Sequence, residues 1–297
     1  MSRTIVIERE GTRLSSHHKQ LQLLDSQGAM IVKAPVEDLT CVLIEAFEYV
    51  VTGGALRNLA EAGVALVICD RRKMPSGIML PTVGHHEMTG RINAQIAMSL
   101  PRQKRAWQQL VQAKIRGQSA NLPHNERATA RLLRLSREVR SGDPSNLEAQ
   151  AARIYWAAVN PEARFRRDPV STNDAQNMAL NYGYAIVRAV IAQNLVATGL
   201  SPAIGLFHSS KSNPWALADD LIEPFRPIVD RYVFAADVTL GVDDRLDSPT
   251  RRSLVGLLEE AIMLPAAKQT LKRAVEQLVG SLSNYVQSQT DTLDVPF

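Results

Sequence analysis

Residues 205–227 read GLFHSSKSNPWALADDLIEPFRP. A loop carrying His208 leads into a helix that begins near Pro214. Prolines 224 and 227 are placed to kink that helix or split its C-terminal part, because proline lacks an N–H and crowds the preceding turn. Asp220 and Glu223 are three residues apart, so their carboxylates share one helix face. An imidazole near converging carboxylates suits a divalent cation held mainly by oxygen. The other reading is an amphipathic helix whose acids face water, with His208 only a loop residue. Spacing leaves both open.

Outward from this stretch the chain has two textures. Up to residue 84 it shows short β-rich runs at 3–7, 26–33 and 41–44, punctuated by Gly11, Gly28 and Pro35. Gly53-Gly54 opens a short helix at 55–62, which Gly63 ends; an apolar strand follows at 64–69, and 74–84 is rich in turn residues. From residue 91 the periodicity is helical, at 92–100 and 103–115 (broken by Pro101, ended at Gly117), 125–139, 144–159, 172–198 and about 214–233. Two further helices are predicted at 248–263 and at 265 to about 287, and the aperiodic tail 291–297 reads as frayed. The pattern predicts an α+β fold. A small N-terminal β-rich domain (1–84) is joined by a linker (85–90) to a larger all-α domain (91–297).

At 297 residues with 45% hydrophobic content, the chain is a folded protein of one large or two medium domains. The formal charge of +4 decides little, but its distribution is uneven. Residues 85–160 carry 12 basic and 5 acidic side chains, whereas residues 161–297 carry 13 and 16. A basic middle beside an acidic C-terminal third suits a polyanionic substrate led to a metal pocket. Cys41 and Cys69 lie in apolar runs without ligand spacing, so zinc is not indicated and a reducing cytosol is expected. No leader-like segment or 18-residue apolar run is present, and the expectation is a soluble, cytoplasmic protein with no membrane partner.

Several other residues carry possible chemistry. Glu148 borders the apolar stripe Leu147, Ala151, Ile154 and Ala158, where it either pairs with an arginine such as Arg153 or holds a cation. Asn173, Asn177 and Asn181 form a polar row on an apolar helix: a hydrogen-bonding edge or a solvent stripe. Gly183 costs that helix about 1 kcal/mol relative to alanine, which suggests a close approach by another backbone, a substrate or a packed neighbouring helix. Arg127, Arg131 and Arg134 share one helix face, with Arg137, Arg140, Arg102, Lys104 and Arg105 nearby. Arg164, Arg166 and Arg167 form a second cluster in a loop. Guanidinium groups grip phosphate well, although a charge run is also the ordinary dress of a solvated face. The pairs His17-His18 and His85-His86 point neighbouring side chains apart, so neither is a good chelate by itself.

Four blocks, LEAQAARIYW (147–156), NMALNYGYAIV (177–187), GLSPAIGLFH (199–208) and LADDLIEPFRP (217–227), stand in an order and spacing with a familiar likeness. Together they resemble the CRISPR-associated (Cas) spacer-acquisition integrase, the endonuclease of the adaptation complex. The segments GGALRNLAEAGVALVICD (53–70) and PSGIMLP (75–81) are similar too, so the resemblance covers essentially the whole chain. The GLFH…NPW…LADDLIEPFRP form points to the branch found with type II systems. The resemblance implies that Glu148, His208 and Glu223 are the catalytic metal ligands, with Asp220 auxiliary. Many relatives have aspartate where Glu223 stands, and Trp156 replaces a frequent phenylalanine.

What the resemblance implies about activity follows the same family. Mg²⁺ or Mn²⁺ would assist a transesterification in which the 3′-hydroxyl of short foreign DNA attacks a phosphodiester at a CRISPR repeat boundary. The implied partners are double-stranded DNA (spacer precursor and repeat) and a second copy of the chain in a homodimer. A small second adaptation protein would complete a heterohexamer, working beside the type II effector nuclease and an accessory DNA-end-binding ring. The β-rich domain would serve dimerisation, and Arg127, Arg131, Arg134, Arg164, Arg166, Arg167 and Asn181 are DNA-binding candidates. Two other functions remain: a metal-dependent nuclease for branched repair intermediates, and a non-catalytic DNA-binding subunit whose acids are structural.

Overall fold

The computed structural model describes residues 3–81, 85–159, 165–171, 173–236, 238–241, 245–263 and 268–297. Strands fill the first part: β1 (Arg3–Ile7), β2 (Thr12–His17), β3 (Gln20–Leu24), β4 (Met30–Pro35), β5 (Leu39–Ile44) and β6 (Tyr49–Val51). Helix α1 (Gly53–Glu61) and strands β7 (Ala65–Cys69) and β8 (Pro75–Met79) complete it. One sheet has the order β1-β5-β7-β8, with β1, β5 and β7 parallel and β8 antiparallel to β7. The other has the order β4-β3-β2-β6. Thr52 opens α1 by accepting the Ala55 N–H at 3.3 Å, a cap of the kind that contributes about 1 kcal/mol.

The central strand β5 is buried at all six positions, and its two faces serve different cores. Alternation sends Val42 and Ile44 into the N-terminal core, with Leu14, Leu21, Leu59 and Leu66. It sends Cys41 and Leu43, joined by Ala65 and Val67 of β7, into the helical core. The β-rich and helical parts thus meet across a sheet whose two faces are both covered, which explains why β5 and β7 read as continuous apolar runs.

The helical part contains α2 (Met88–Ala97), α3 (Leu100–Ala120), α4 (Glu126–Glu138), α5 (Leu147–Val159), α6 (Ala175–Ala197), α7 (Ala216–Leu221), α8 (Arg226–Ala235), α9 (Ser248–Gly256) and α10 (Leu271–Val286). Helix α6 lies deep: most of its side chains are buried, which accounts for its weak amphipathic pattern. The prolines act as expected, since a short 3-10 turn, Glu223–Phe225, separates α7 from α8.

Elsewhere the structure departs from the sequence reading. Pro101 does not break a helix but sits in the first turn of α3, where its missing N–H costs nothing. Gly117 does not end α3 either; it lies within it, because the Phe297 ring and Pro227 leave no room for a Cβ there. The expected helix 248–263 stops at Gly256, and β9 (Ala261–Met263) pairs antiparallel with β10 (Lys268–Thr270). The helical part is therefore not purely α. Thr270 then caps α10 by accepting the Arg273 N–H.

The tail 291–297 is docked rather than frayed. Arg102 donates to Asp291 at 2.6 Å and to the Thr290 carbonyl, and the Leu293 N–H reaches Gln109 at 2.8 Å. Arg116 donates to the Phe297 carbonyl at 2.6 Å. Polar side chains of α3 hold the segment's backbone, while Leu293, Val295 and Phe297 pack on the helical core.

Candidate active site

Each expected ligand is placed by a local device. Asp143 accepts the N–H groups of Leu147 and Glu148, both at 2.9 Å, and so caps the start of α5. Glu148 stands in that first turn, where the helix dipole favours a negative charge. On the other side of the site, Asp220 of α7 is fully buried. It accepts the backbone N–H groups of Leu206 (2.5 Å), Phe207 (3.1 Å) and His208 (3.1 Å), and its Oδ1 lies 2.7 Å from His208 Nδ1. The loop can fold this tightly because residue 205 is glycine. A Cβ there would collide with the His208 carbonyl and meet Asp220 Oδ2 at 3.0 Å.

Glu223 follows in the 3-10 turn and is buried with the Arg226 guanidinium 2.8 Å from its Oε1. Its Oε2 is buried, and the Lys114 ammonium of α3 lies 2.5 Å from it. The same ammonium donates to Glu148 Oε1 at 2.6 Å. Glu148 and Glu223 are thus joined through one lysine, rather than Glu148 pairing with Arg153 or another arginine.

The electrostatics follow from burial against charge. Burial pushes the Glu223 carboxyl up, but Arg226 and Lys114 outweigh it and hold the group below the usual carboxylate range. Burial likewise pushes the Lys114 ammonium down, while Glu223 and Glu148 hold it above the ordinary lysine value. The hydrogen bond to Asp220 raises His208 against the opposing effect of burial. Asp220 at Nδ1 leaves Nε2 as the ring nitrogen available to a ligand, an arrangement common for metal-binding histidines.

Lys114 was missed by the sequence reading, yet it left a signal. It falls in the row Trp107, Val111, Lys114, Gln118, at helical spacing, among positions that are all buried. A lysine inside a buried stripe needs a buried acid. Phe207 is a second omission: its ring stacks on Trp107 at 4.4 Å beside His208 and is half exposed.

The other candidates are dispersed. Arg127, Arg131 and Arg134 line the exposed face of α4, with Arg134 3.7 Å from Glu138. Arg166 is exposed, and Arg164 lies outside the described residues. Arg167 is engaged internally: it donates to Asn177 at 2.9 Å and Asn181 at 2.5 Å, fastening residues 165–171 to α6. The asparagine row is therefore a hydrogen-bonding edge, with a protein segment on it. Gly183 is needed for helix packing, since a Cβ would sit 2.6 Å from Val229 of α8.

Among the described residues, the ligand atoms of His85, His86 and Glu87 come within 4.8 Å of one another, closer than the isolated histidine pair suggested. However, His85 Nδ1 accepts the Glu87 N–H at 3.1 Å, and the Glu87 carboxylate is taken by Arg91 at 3.0 Å. Glu148, His208 and Glu223 do not draw their ligand atoms together to that distance. Among the described residues no helix is long and apolar enough to cross a membrane.

The architecture matches that of proteins solved earlier. A casposase bound to integration product superposes with a TM-score of 0.79 at 22% identity, covering 99% of this chain and 93% of that one. A chain of a Cas6-RT-Cas1–Cas2 complex superposes with a TM-score of 0.77 at 21% identity, covering 100% of this chain and 36% of that one. Those identities speak for the fold. Sequence narrows it further: the family model described as CRISPR associated protein Cas1 matches residues 5–239. The CRISPR-associated endonuclease Cas1 of Neisseria meningitidis serogroup C (strain 8013) is 37% identical over 281 residues, 94% of this chain and 90% of that protein. The chain belongs to the Cas1 family.

Proposed function

We propose that this chain is a divalent-metal-dependent DNA endonuclease and integrase of the type II branch, which inserts short foreign DNA into a CRISPR array in the cytoplasm of a prokaryote. One observation carries the reading. Glu148 and Glu223 meet at Lys114, while His208 is locked to Asp220 one helical turn before Glu223. The names of the relatives, an endonuclease and a casposase on its integration product, support the same activity.

The donor set fits a hard or borderline cation: the carboxylates of Glu148 and Glu223, which already converge on one positive charge, and an imidazole whose Nε2 is left available by Asp220 at Nδ1. Glu148, His208 and Glu223 would hold Mg²⁺ or Mn²⁺, with Asp220 supporting His208. When bound, such an ion polarises the scissile phosphate and stabilises charge on the entering and leaving oxygens. The protein's own groups do the rest. Asp220 fixes the imidazole's tautomer and direction, Arg226 fixes the Glu223 carboxylate, and Asp143 fixes the turn that carries Glu148.

The 3′-hydroxyl oxygen of the incoming strand forms a bond to phosphorus as the array strand's own 3′-oxygen leaves with a proton. One phosphodiester replaces another, so no energy cofactor is consumed. Joining both ends of a spacer takes two sites, hence at least two subunits, supplied in this reading by homodimers assembled with the small second adaptation protein into a heterohexamer. The Cas1–Cas2 complex among the fold neighbours supports that partnership.

The test is strand transfer of a 3′-OH oligonucleotide into a repeat-containing plasmid, with Mn²⁺ or EDTA, comparing wild type with His208→Ala. Joining that needs Mn²⁺ and disappears in His208→Ala is expected. Metal-independent joining, or joining untouched by the substitution, would remove the catalytic reading. Junction cleavage indifferent to the repeat would favour a repair nuclease instead.

A further inference from the structure

Lys114 lies where a metal's two carboxylate ligands meet. Its ammonium is 2.6 Å from Glu148 Oε1 and 2.5 Å from Glu223 Oε2, and the residue is buried on α3. Arg226 takes the other Glu223 oxygen at 2.8 Å. The two carboxylates are therefore already matched by two cations. Asp220 brings one further negative charge, but its oxygens are held by three backbone N–H groups and the His208 ring.

This largely buried set carries about one net negative charge, so adding a divalent ion leaves excess positive charge, which a low-dielectric site resists. The excess is relieved in one natural way, by a phosphate group arriving with the ion. The two cations differ in their freedom to respond. Arg226 is held by its hydrogen bond to Glu223 and by the Tyr184 ring, 4.5 Å from its guanidinium carbon. Lys114 is a compact charge on a flexible stem and can trade its carboxylates for a phosphate oxygen.

Resting on the metal-dependent reading above, we infer that Lys114 is the resident counter-cation of this centre. It stands in for the metal between Glu148 and Glu223, and it makes divalent-ion binding depend on DNA. Metal and DNA then strengthen each other's binding by the same factor, as linkage requires. The protein carries little ion until substrate is present, which restrains hydrolysis of unselected DNA.

The experiment titrates Mn²⁺ into the full chain, followed by the electron paramagnetic resonance of free Mn²⁺, with and without a short duplex ending in 3′-dideoxy nucleotides so that no joining occurs. In wild type the duplex is expected to tighten Mn²⁺ binding about tenfold or more. Lys114→Met is expected to bind Mn²⁺ about tenfold more tightly than wild type without DNA, and to lose most of the DNA effect. Lys114→Arg, which keeps the charge, should retain weak binding in the absence of DNA.

Equal Mn²⁺ affinity with and without DNA in wild type would overturn the inference, and so would an unchanged affinity in folded Lys114→Met. The wild-type comparison decides the matter even if that variant fails to fold. Glu223→Gln separates the two claims. If it abolishes Mn²⁺ binding, the centre is the metal site and the lysine is judged on its own. If binding survives, the metal-site reading itself has failed.

Discussion

Asp220 Oδ1 lies 2.7 Å from His208 Nδ1 and also accepts the backbone N–H of His208 at 3.1 Å. One buried carboxylate therefore sets both the direction of the imidazole and the path of the loop that carries it. Asp220 cannot be a simple duplicate of Glu223, because its oxygens are occupied from within. Asp220→Ala leaves three N–H groups without their acceptor and should cost about 3 kcal/mol or more of stability, read as a fall in thermal midpoint. Asp220→Asn keeps an acceptor oxygen but changes the ring's partner. Strand transfer should fall about 10- to 100-fold, with a smaller loss of stability than in Asp220→Ala.

Gly205 is the other half of that arrangement. A methyl group there meets the His208 carbonyl, which is backbone and has no rotamer to yield. Gly205→Ala should cost about 1–3 kcal/mol and displace His208. The variant's strand transfer should drop even at temperatures where circular dichroism reports it folded. Wild-type activity in folded Gly205→Ala would mean that the loop has another conformation that still places the imidazole.

How far the sequence reveals this site depends on the kind of signal each residue leaves. Glu148, His208, Asp220 and Glu223 sit in blocks whose order is itself informative, and the prolines after Glu223 announce the split between α7 and α8. Lys114 sits in no such block. Its place in a buried helical row marks it as a lysine in need of an acid, but which acids it meets comes from α3 crossing α5 and the 3-10 turn. Gly117 looked like a helix stop because glycine usually is one; the reason it lies inside α3 is Phe297, some 180 residues away. The strands β2 and β3 went unread because their outward positions are polar, although Leu21 and Leu23 alternate toward the core. Local chemistry was legible, whereas long-range contacts were not.

A buried ion pair ties the β-rich and helical parts together. Glu45, just after β5, has both oxygens 2.9 Å from Arg251 Nε of α9, and Tyr182 of α6 donates to it at 2.7 Å. Glu45→Ala strands the Arg251 guanidinium and the Tyr182 hydroxyl, and should cost about 3–5 kcal/mol. Chemical denaturation measures it. A loss below about 1 kcal/mol would show that water replaces the carboxylate at little cost.

Asp230 gives the chain a pH dependence separate from Glu148, His208 and Glu223. Burial lifts its carboxyl to about 7, against hydrogen bonds from Tyr184 and Tyr155 and the charges of Arg226 and Lys114, which lower it. A carboxyl raised by folding favours the protonated state. Its contribution is whole below the ordinary value of 3.8, is lost as pH rises, and is gone above about 7. Asp230→Asn cannot ionise. Between pH 5 and pH 8, wild type should lose about 3 kcal/mol relative to this variant in urea unfolding. Parallel stability curves for the two proteins would show that Asp230 ionises in the folded state as freely as in the unfolded one.

The exposed arginines of α4 allow DNA grip to be separated from fold. Arg127, Arg131 and Arg134 project to solvent, and the Arg134–Glu138 contact at 3.7 Å is an exposed pair. Such a pair contributes little to stability, so a triple alanine variant should unfold within about 1 kcal/mol of wild type. If the three guanidiniums each neutralise a phosphate, log affinity for duplex DNA against log salt should flatten by about 0.9 per contact, close to 2.7 in all. Arg167→Ala should behave in the opposite way. Its guanidinium is spent on Asn177 and Asn181, so removing it should loosen residues 165–171 and leave the salt slope nearly unchanged. A steepness unaltered in the triple variant would move the DNA track off α4 and onto another basic surface of the middle third.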